Sequence, residues 1–581
     1  MPHPLPDPPV APKVPKAITQ HGHTRVDNYF WLRDRQNPET IRYLEAENAY
    51  ADAVLEPLAD LREQLYQEIL GRIQQTDLSV PVRKGDYFYY SRTEEGKQYP
   101  IHCRKRGSLD AGEEVLLDLN EIAKTEQYVR LGNFAVSPDH RLLAYGLETS
   151  GDETYTIYVK DLASGELLPD RIDNTYYGLE WTNDAQSLLY VTLDAAKRPY
   201  QCWRRRLGAD AASDVLLHQE ADERFHLTLS KSRSEAFLLV NLDSAATSEV
   251  RYMEASGTAV SMRIVAERRH DVEYDVTHHG ELFYIRIADT GRNFRVVTTP
   301  VSDPDPSRLQ EWIAHRAAVM VESVEAFENH LVVLEREDGI RRFEVYNLKD
   351  AGRHRVTMPE SVYTIAPTGN PEFRTNVLRF QYTSLVTPAS IFDYNMDTGE
   401  RVLRKQTPVL GGYDPANYET IRIHAEAEDG VRVPISLLYR KGTARDGSHP
   451  MLLYGYGSYG ISIDPTFSSE RLSLVDRGFV FAIAHIRGGG DLGKTWHDAG
   501  KLKQKLNTFE DFIACAEHLI AEGYTSSDRL AIMGGSAGGL LMGAVINIWP
   551  ELFHAVLAKV PFVDVLNTAT DPTLPLTVIE Y

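Results

Sequence analysis

The chain has 581 residues, of which 43% are hydrophobic, and a formal net charge of −21. This length exceeds what one hydrophobic core supports, so two or more domains are expected. The negative charge argues against unaided binding to nucleic acid or anionic membranes, whose phosphates would be repelled, and it suits a cationic substrate or simply solubility.

The first segment, residues 1–76, is predicted to be helical after a proline-rich arm. Residues 37–39 read Asn-Pro-Glu, which supplies a cap, a proline at the first helical position and an early acid, and this predicts a helix through Leu55. A proline then breaks the pattern. A second helix is predicted over residues 58–73, where apolar residues recur at three- and four-residue spacing.

The second segment, residues 77–406, consists of short alternating stretches separated by Gly, Asp, Asn and Ser turns, which predicts strands with almost no helix. Seven similar units follow one another, roughly every 45 to 53 residues. They begin near Gly85, Phe134, Leu179, Phe225, Asp271, Val321 and Arg374. This period is typical of four-stranded propeller blades and predicts a seven-bladed β-propeller.

The third segment, residues 407–581, begins with a predicted hairpin over 420–425 and 431–439 and continues with alternating strands and helices. Such alternation predicts a parallel sheet covered on both faces. The predicted strands are 451–454, 479–486, 530–533 and 555–560, and the predicted helices are 509–522 and 540–546. Asn507, Thr508 and Asp511 resemble a capping box at the start of the first helix.

Three scattered cysteines, Cys103, Cys202 and Cys515, form no CxxC pair and no even framework, so neither a zinc site nor a disulfide scaffold is predicted. The proline-rich start lacks the features of a signal peptide, and no window approaches 18 uncharged apolar residues. We therefore expect a cytoplasmic protein with no membrane partner, no metal and no cofactor.

The most informative motif is Gly-Gly-Ser-Ala-Gly at residues 534–538, which matches G-x-S-x-G between a predicted strand and a predicted helix. That setting is typical of a nucleophile elbow, which lifts a serine hydroxyl clear of the backbone. Ser536 is thus the predicted nucleophile of a serine hydrolase, and the Ala537 backbone N–H is predicted to face the oxyanion. The alternative interpretation is that Ser536 is merely a small residue in a glycine-rich turn.

A second glycine-rich run, residues 455–460, formally matches the dinucleotide fingerprint G-x-G-x-x-G. The residues that follow do not open a helix, and no acid ends a second strand at the proper distance, so we reject that interpretation. An oxyanion loop of a hydrolase explains the glycines better.

No histidine has an obvious catalytic position. His485 and His497 precede the serine, whereas the histidine of such hydrolases follows it, so both are expected to be structural or to lie on the substrate side. His554 follows Ser536 by only 18 residues, at a predicted helix-to-strand junction. It is too early for the loop after a final strand.

Four separated motifs carry a family resemblance. They are Leu-Tyr-Gly-Tyr-Gly-Ser-Tyr-Gly at 453–460, Arg-Gly-Gly-Gly-Asp-Leu-Gly at 487–493, Asn-Thr-Phe-Glu-Asp at 507–511 and Gly-Gly-Ser-Ala-Gly-Gly at 534–539. Together they resemble the prolyl oligopeptidase family of serine peptidases, most closely its oligopeptidase B group, and residues 27–34 resemble that family's N-terminal signature. The resemblance implies an α/β hydrolase beside the N-terminal segment, capped by a seven-bladed propeller that admits only short peptides.

The resemblance also implies roles for single residues. Tyr456 matches the tyrosine that joins the Ala537 amide in the oxyanion hole, and an alanine after the serine implies cleavage of short basic peptides after Arg or Lys. Glu580 matches an acid that binds the P1 cation, and Asp464 matches an acid of the neighbouring subsite. Charge-assisted pairing with guanidinium is the physical reason for acids there.

Departures from the family pattern bear on activity. A second subsite acid would fall at Thr466, and Asp491 stands where the family commonly has glutamate. The family's second P1 carboxylate, last two strands, triad aspartate and triad histidine would follow Tyr581, so the sheet is expected to be incomplete, with an open edge, and the 581-residue chain inactive. The alternatives are a non-catalytic propeller binding protein with a vestigial hydrolase half, or a relative with exopeptidase or post-proline preference.

Overall fold

The structure is a computed structural model that describes residues 6–257, 259, 261–571, 573–574 and 580. It divides into two compact units, residues 1–73 and 74–581. Within the part of the chain that is described, no helix combines the length and the apolar character needed to cross a membrane.

The first unit contains a hairpin followed by two helices. Its elements are β1 (Lys16–Gln20), β2 (His23–Asp27), α1 (Pro38–Leu55) and α2 (Ala59–Leu70). The Asn37 side chain accepts a hydrogen bond from the Glu39 N–H at 3.0 Å, as the predicted cap requires. The hairpin was not predicted; its turn is closed by His21 and Gly22, both with positive φ.

The propeller region is built from antiparallel strands. The first sheet contains β3 (Asp77–Leu78), β4 (Val82–Lys84), β5 (Tyr87–Thr93), β6 (Ile101–Arg106) and β7 (Glu113–Asp118), and is followed by the short helix α3 (Leu119–Ile122). The second contains β8 (Arg130–Val136), β9 (Leu142–Glu148), β10 (Tyr155–Asp161), β11 (Leu167–Trp181), β12 (Ser187–Leu193), β13 (Pro199–Arg206) and β14 (Val215–Gln219).

Four further sheets have four strands each, hydrogen-bonded in chain order. They are β15 (His226–Lys231), β16 (Phe237–Asp243), β17 (Ser248–Glu254) and β18 (Arg263–Ala266); β19 (Tyr274–His279), β20 (Leu282–Ile287), β21 (Arg295–Pro300) and β22 (Gln310–Ile313); β23 (Val319–Phe327), β24 (His330–Glu337), β25 (Ile340–Asn347) and β26 (Arg353–Arg355); and β27 (Thr364–Pro367), β28 (Val377–Thr383), β29 (Ser390–Asn395) and β30 (Arg401–Gln406).

The prediction of seven separate blades was wrong. Among the described residues, five sheets have the size of a single blade, and the sixth is a continuous seven-stranded sheet. The cause is β11, 15 residues long, whose amino half pairs with β10 and whose carboxyl half pairs with β12. A register shift between Thr175 and Leu179 bends this strand without interrupting it, so two predicted units share one sheet.

The first and last sheets of the propeller meet. The Arg379 guanidinium donates to the Pro81 carbonyl at 2.7 Å, and Lys405 Nζ donates to Asp77 Oδ2 at 2.5 Å. A cavity of about 680 Å³ is lined by strand residues of five sheets, among them Lys84, Trp181 and His278, and by Asn370 and Pro371 of the loop between β27 and β28. A ring of sheets around such a cavity is the arrangement expected of a propeller.

The hydrolase region forms one mixed sheet flanked by helices. Its strands are β31 (Tyr418–Glu426), β32 (Arg432–Arg440), β33 (Met451–Tyr454), β34 (Val480–Ala484), β35 (Leu530–Gly535) and β36 (Ala555–Lys559). Its helices are α4 (Ser469–Val475), α5 (Lys494–Asp498), α6 (Leu506–Ala521), α7 (Ala537–Ile548) and α8 (Val565–Ala569). The strand order is β31-β32-β34-β33-β35-β36.

The predicted parallel sheet is present in the last four strands of that order, from β34 to β36, whereas β31 and β32 pair antiparallel. Strands β33, β34 and β35 are buried between helices because their residues are apolar on both faces. Strand β36 is the edge of the described sheet, and all five of its residues are exposed. The sheet thus ends in an unpaired strand beside the elbow.

The predicted capping box at residues 507–511 was wrong. Helix α6 begins at Leu506, and its N-cap residue, Lys505, makes no side-chain capping bond. The Thr508 hydroxyl instead donates to the carbonyl of Arg487 at 2.9 Å, and the Asp511 carboxylate binds the Arg487 guanidinium. The two side chains that the local pattern assigned to the cap therefore make tertiary contacts instead.

Ion pairs join the propeller to the hydrolase region. Arg292 Nε donates to Asp498 Oδ2 at 2.6 Å, and Lys494 Nζ lies 3.0 Å from Glu273 Oε1. Each region contributes one cation and one acid to these two ion pairs.

Candidate active site

Ser536 lies at a sharp turn between β35 and α7. Its φ and ψ are 56° and −117°, a strained conformation for a residue with a side chain, and such strain is typical of functional turns. The Ser536 N–H donates to the Lys559 carbonyl at 2.9 Å, and its own carbonyl accepts from the N–H groups of Gly539 and Phe562. These bonds hold the turn, and the residue is exposed.

The glycines around Ser536 permit the close approach of backbones that this turn needs. A methyl group on Gly534 would lie 2.2 Å from the Gly538 carbonyl oxygen, and one on Gly538 would lie 2.8 Å from the Gly455 oxygen. Both neighbours are backbone atoms that cannot move aside. The turn therefore excludes side chains at these two positions.

Tyr456 and Ala537 are the two predicted oxyanion donors, and both lie at the turn. Burial raises the pKa of Tyr456, and a side-chain hydrogen bond with Ser536 acts in the opposite direction. The phenol is therefore protonated at neutral pH and able to donate. Ala537 is the first residue of α7, where backbone N–H groups have no acceptor within the helix.

The glycine-rich run 455–460 follows β33 and does not open a helix, since α4 begins only at Ser469. It passes directly beside the elbow, with the Gly455 N–H donating to the Met533 carbonyl of β35 at 3.2 Å. This position agrees with an oxyanion loop.

His485 is enclosed in a buried Ser–His–Asp arrangement whose serine is Ser436 and not Ser536. Its Nδ1 lies 2.9 Å from Asp491 Oδ1, and its Nε2 lies 2.8 Å from Ser436 Oγ. A carboxylate can only accept, so Nδ1 carries the proton and Nε2 accepts from the serine hydroxyl. All three residues are buried, and Ser436 lies within the regular strand β32, so its hydroxyl is not presented at a turn as that of Ser536 is.

Glu580 and His497 form a second buried group. His497 Nε2 donates to Glu580 Oε2 at 2.9 Å, and Lys505 Nζ lies 3.5 Å from Glu580 Oε1. The residue Glu580 is only 1% exposed. The carboxylate predicted to bind a P1 cation is thus paired with two groups of the protein.

Asp464 is bound by two arginines of the propeller. Arg336 Nη1 donates to Asp464 Oδ1 at 2.9 Å, and Arg341 Nη1 lies 3.0 Å from Oδ2. Burial would raise the pKa of Asp464, but the two guanidinium groups outweigh it and hold the pKa below its usual value. The acid predicted to serve a neighbouring subsite therefore joins the two regions in this structure.

Among the residues that the structure describes, the histidines leave Ser536 without an imidazole partner. His554 is exposed, and its backbone N–H donates to the Leu530 carbonyl at 2.8 Å. Across the described ranges, no histidine forms a hydrogen bond with the Ser536 hydroxyl. Sequence reasoning missed Lys505, which contacts both Glu580 and the glycine-rich run; its only signal was its place just before the Asn-Thr-Phe-Glu-Asp motif.

Two family profiles match the chain. Residues 9–407 match the profile described as prolyl oligopeptidase, N-terminal beta-propeller domain, and residues 465–581 match the one described as prolyl oligopeptidase family. The second match contains the elbow at Ser536.

Curated relatives and solved structures agree with these profiles. Dipeptidyl aminopeptidase BI of Pseudoxanthomonas mexicana is 44% identical, covering 99% of this chain and 82% of that protein. Protease 2 of Moraxella lacunata is 39% identical, covering 99% and 84%. Oligopeptidase B from Leishmania major has a TM-score of 0.94 at 36% identity, covering 99% of this chain and 85% of that one. The chain therefore belongs to the prolyl oligopeptidase family and is a serine peptidase related to oligopeptidase B.

Proposed function

We propose that the protein cleaves short peptides after Arg or Lys through an acyl-enzyme on Ser536. The observation that carries this proposal is the exposed Ser536 hydroxyl, held in a strained strand-to-helix turn with the Tyr456 phenol beside it. A similar solved structure, oligopeptidase B from Trypanosoma brucei, is described with covalently bound antipain. Attack by a nucleophilic side chain at the corresponding site would account for that bond.

The proposed reaction begins when Ser536 Oγ attacks the scissile carbonyl carbon and its proton passes to a general base. The carbonyl oxygen becomes an oxyanion, to which the Tyr456 hydroxyl and the Ala537 N–H donate. Collapse of the tetrahedral intermediate expels the amine, which takes up the proton and leaves an ester on Ser536. Water then attacks the ester, with its proton going to the same base, and releases the acid.

Among the described residues, no side chain is a candidate for the general base. A serine hydroxyl without a base is a poor nucleophile, and loss of a triad member costs several orders of magnitude in rate. We therefore expect residues 1–581, prepared as an isolated polypeptide, to be inert.

The proposed preference for basic residues depends on Glu580 and Asp464. A P1 guanidinium would have to exchange with Lys505 as the partner of Glu580, and a basic neighbouring residue would have to displace Arg341 from Asp464. The net charge of −21 favours the approach of such cationic peptides.

A second candidate function is the release of dipeptides from free amino termini. It is favoured by one relative, 44% identical, that is named dipeptidyl aminopeptidase BI. An enzyme of that kind would require the free amino group of the substrate, whereas the oligopeptidase would accept a blocked one.

Three reporter amides test these proposals on the protein as its gene encodes it. They are an N-blocked arginyl amide, an unblocked dipeptidyl amide ending in arginine, and a glycyl-prolyl amide, with Ser536→Ala as the inactive control. We expect turnover of both arginyl amides; turnover of the unblocked one alone would favour the dipeptidase, and turnover of the prolyl amide alone would refute basic specificity. Residues 1–581 prepared as an isolated polypeptide should not be labelled by a fluorophosphonate, and efficient labelling would refute the expectation that this polypeptide is inert.

We also propose that the protein acts in the cytoplasm. Its three cysteines, Cys103, Cys202 and Cys515, are free and buried, which suits a reducing compartment. Cell fractionation with antibody detection would test this, and recovery in a secreted fraction would refute it.

A further inference from the structure

We infer that Lys505 is a positioning residue of the oxyanion hole, because its ammonium group holds the backbone of the loop that carries Tyr456. This inference rests on the proposed role of Tyr456 as an oxyanion donor. It assigns to Lys505 a part in catalysis without contact to the substrate.

The contacts of Lys505 are concentrated on the residues that follow Tyr456. Lys505 Nζ donates to the Gly457 carbonyl at 2.7 Å and to Ser458 Oγ at 2.5 Å. Its third neighbour is the buried carboxylate of Glu580, 3.5 Å away. The ammonium group therefore connects the loop to the N-terminus of α6 and to the predicted P1 acid.

This lysine occupies an unfavourable place, which indicates that its contacts matter. It is the N-cap residue of α6, where the helix dipole disfavours a positive charge. Its side chain is only 13% exposed. Burial lowers its pKa to about 8, although Glu580 acts in the opposite direction. The acceptors on the loop and on Glu580 compensate for these costs.

The loop needs support of this kind because it belongs to no helix or strand. Its backbone hydrogen bonds to other segments lie at its two ends, from the Gly455 N–H to the Met533 carbonyl and from the Gly460 N–H to the Gly488 carbonyl. On one side the loop is packed tightly, since a methyl group on Gly457 would lie 2.5 Å from Thr508 Cγ2. Lys505 binds the carbonyl of the same glycine, and this fixes the Gly457–Ser458 peptide group, one residue after Tyr456.

The position of Tyr456 matters because an oxyanion donor acts only over a short range. A displacement of about 1 Å in a catalytic group costs up to about 100-fold in rate. Without the Lys505 contacts, the Gly457–Ser458 peptide group loses the cation that binds its carbonyl, and the glycine, with its φ of 71°, permits the peptide to shift. The expected consequence is a lower kcat for every substrate, because every tetrahedral intermediate has the same oxyanion.

An action of Lys505 through Glu580 would give a different result. If the lysine served mainly to neutralise the P1 acid, its removal would change the KM of arginyl substrates and leave uncharged substrates unaffected. Comparing kcat and KM on arginyl and uncharged reporters therefore separates the two roles.

The test uses the Lys505→Met, Tyr456→Phe and double variants in the protein as its gene encodes it. We expect Lys505→Met to lower kcat about 10- to 100-fold on both reporters, with KM changed less than about threefold. The double variant should be no slower than Tyr456→Phe alone, because a residue that acts through Tyr456 has nothing left to position. Multiplied losses, or a change confined to the KM of the arginyl reporter, would overturn the inference.

The matched control is Lys501→Met. Lys501 is a similarly buried lysine, 15% exposed, which pairs with Asp498 at 2.8 Å. Its loss removes an ion pair with Asp498, which lies outside the loop 455–460, so kcat should stay within about twofold of the parent. A loss equal to that of Lys505→Met would overturn the inference. If Lys505→Met does not fold, Ser458→Ala removes one of its acceptors, and an unchanged kcat in that variant would overturn the inference.

Failure of the proposed function would look different from failure of this inference alone. If Tyr456→Phe retains the parent kcat, the oxyanion role of Tyr456 is refuted, and the inference about Lys505 is refuted with it. If Tyr456→Phe is impaired and Lys505→Met is not, only the role of Lys505 is refuted.

Discussion

Arg487 and Asp511 form a buried ion pair that joins two motifs 24 residues apart. The Arg487 Nε lies 2.9 Å from Asp511 Oδ2 and its Nη2 lies 2.5 Å from Oδ1, while the backbone N–H of Arg487 also donates to Oδ2 at 2.9 Å. Asp511 is fully buried on α6. The pair fixes the start of the Arg-Gly-Gly-Gly loop to that helix.

Removing the charge of Asp511 should destabilise the hydrolase region strongly. Asp511→Asn leaves the Arg487 guanidinium with one buried partner fewer, and breaking such a pair costs about 3–5 kcal/mol. We expect a clear fall in the urea midpoint of the first unfolding transition. The control is Asp429→Asn, which removes the other partner of Arg487; that side chain is 49% exposed, so its loss should cost only about 1 kcal/mol. Equal effects would contradict the importance assigned to Asp511.

The elbow should be intolerant of a methyl group at Gly534. Gly534→Ala places a carbon 2.2 Å from the Gly538 carbonyl oxygen, so the turn must open and Ser536 must leave its strained conformation. The expected result is loss of fluorophosphonate labelling in the protein as its gene encodes it. The control is Gly543→Ala within α7, where the methyl would meet only Val563 Cγ1 at 3.7 Å. That variant should be labelled normally and be about 0.4–1 kcal/mol more stable; normal labelling of Gly534→Ala would refute the steric argument.

The elbow and the hydrolase strands could be predicted because their determinants are local. Four strands of the hydrolase sheet were predicted to within a few residues, since apolar runs bounded by turn residues specify buried strands. The G-x-S-x-G pattern likewise specified the turn at Ser536, because glycines are required there by backbone packing. The predicted cap of α1 at Asn37 was confirmed for the same reason.

What the sequence could not predict depends on partners distant in the chain. The capping box at residues 507–511 failed because Arg487 and Gly500 bind its side chains. The blade count failed because β11 continues where the pattern of turns predicted a break. Asp464 is separated in sequence from its partners Arg336 and Arg341 by more than 120 residues, and no local pattern predicts this pairing. The buried contacts of Lys505 could not be predicted, because a single lysine before a helix is ordinarily exposed.

The link between Arg292 and Asp498 should make stability depend on pH in the acid range. Burial would raise the pKa of Asp498, but Arg292 and Lys501 lower it to about 2. A carboxyl group with a depressed pKa stabilises the fold fully above its unfolded value of about 3.9, and this contribution is lost as pH falls towards 2. The difference in thermal midpoint between the parent and Asp498→Asn should therefore be largest at pH 5 to 7 and shrink by pH 3. A constant difference across this range, or an equal effect of Glu551→Gln at an exposed site, would contradict the assignment.

Glu580 should determine the preference for a P1 cation in the protein as its gene encodes it. Hydrogen bonds to charged groups contribute about 1.5–3 kcal/mol, so Glu580→Gln should lower kcat/KM for an arginyl reporter about 10- to 100-fold more than for an uncharged one. The same change removes the partner of His497 and Lys505, which affects both reporters alike and cancels in their ratio. Glu510→Gln, at an exposed position of α6, should leave that ratio unchanged. Equal losses on the two reporters would show that Glu580 supports the structure of the site and does not select the substrate.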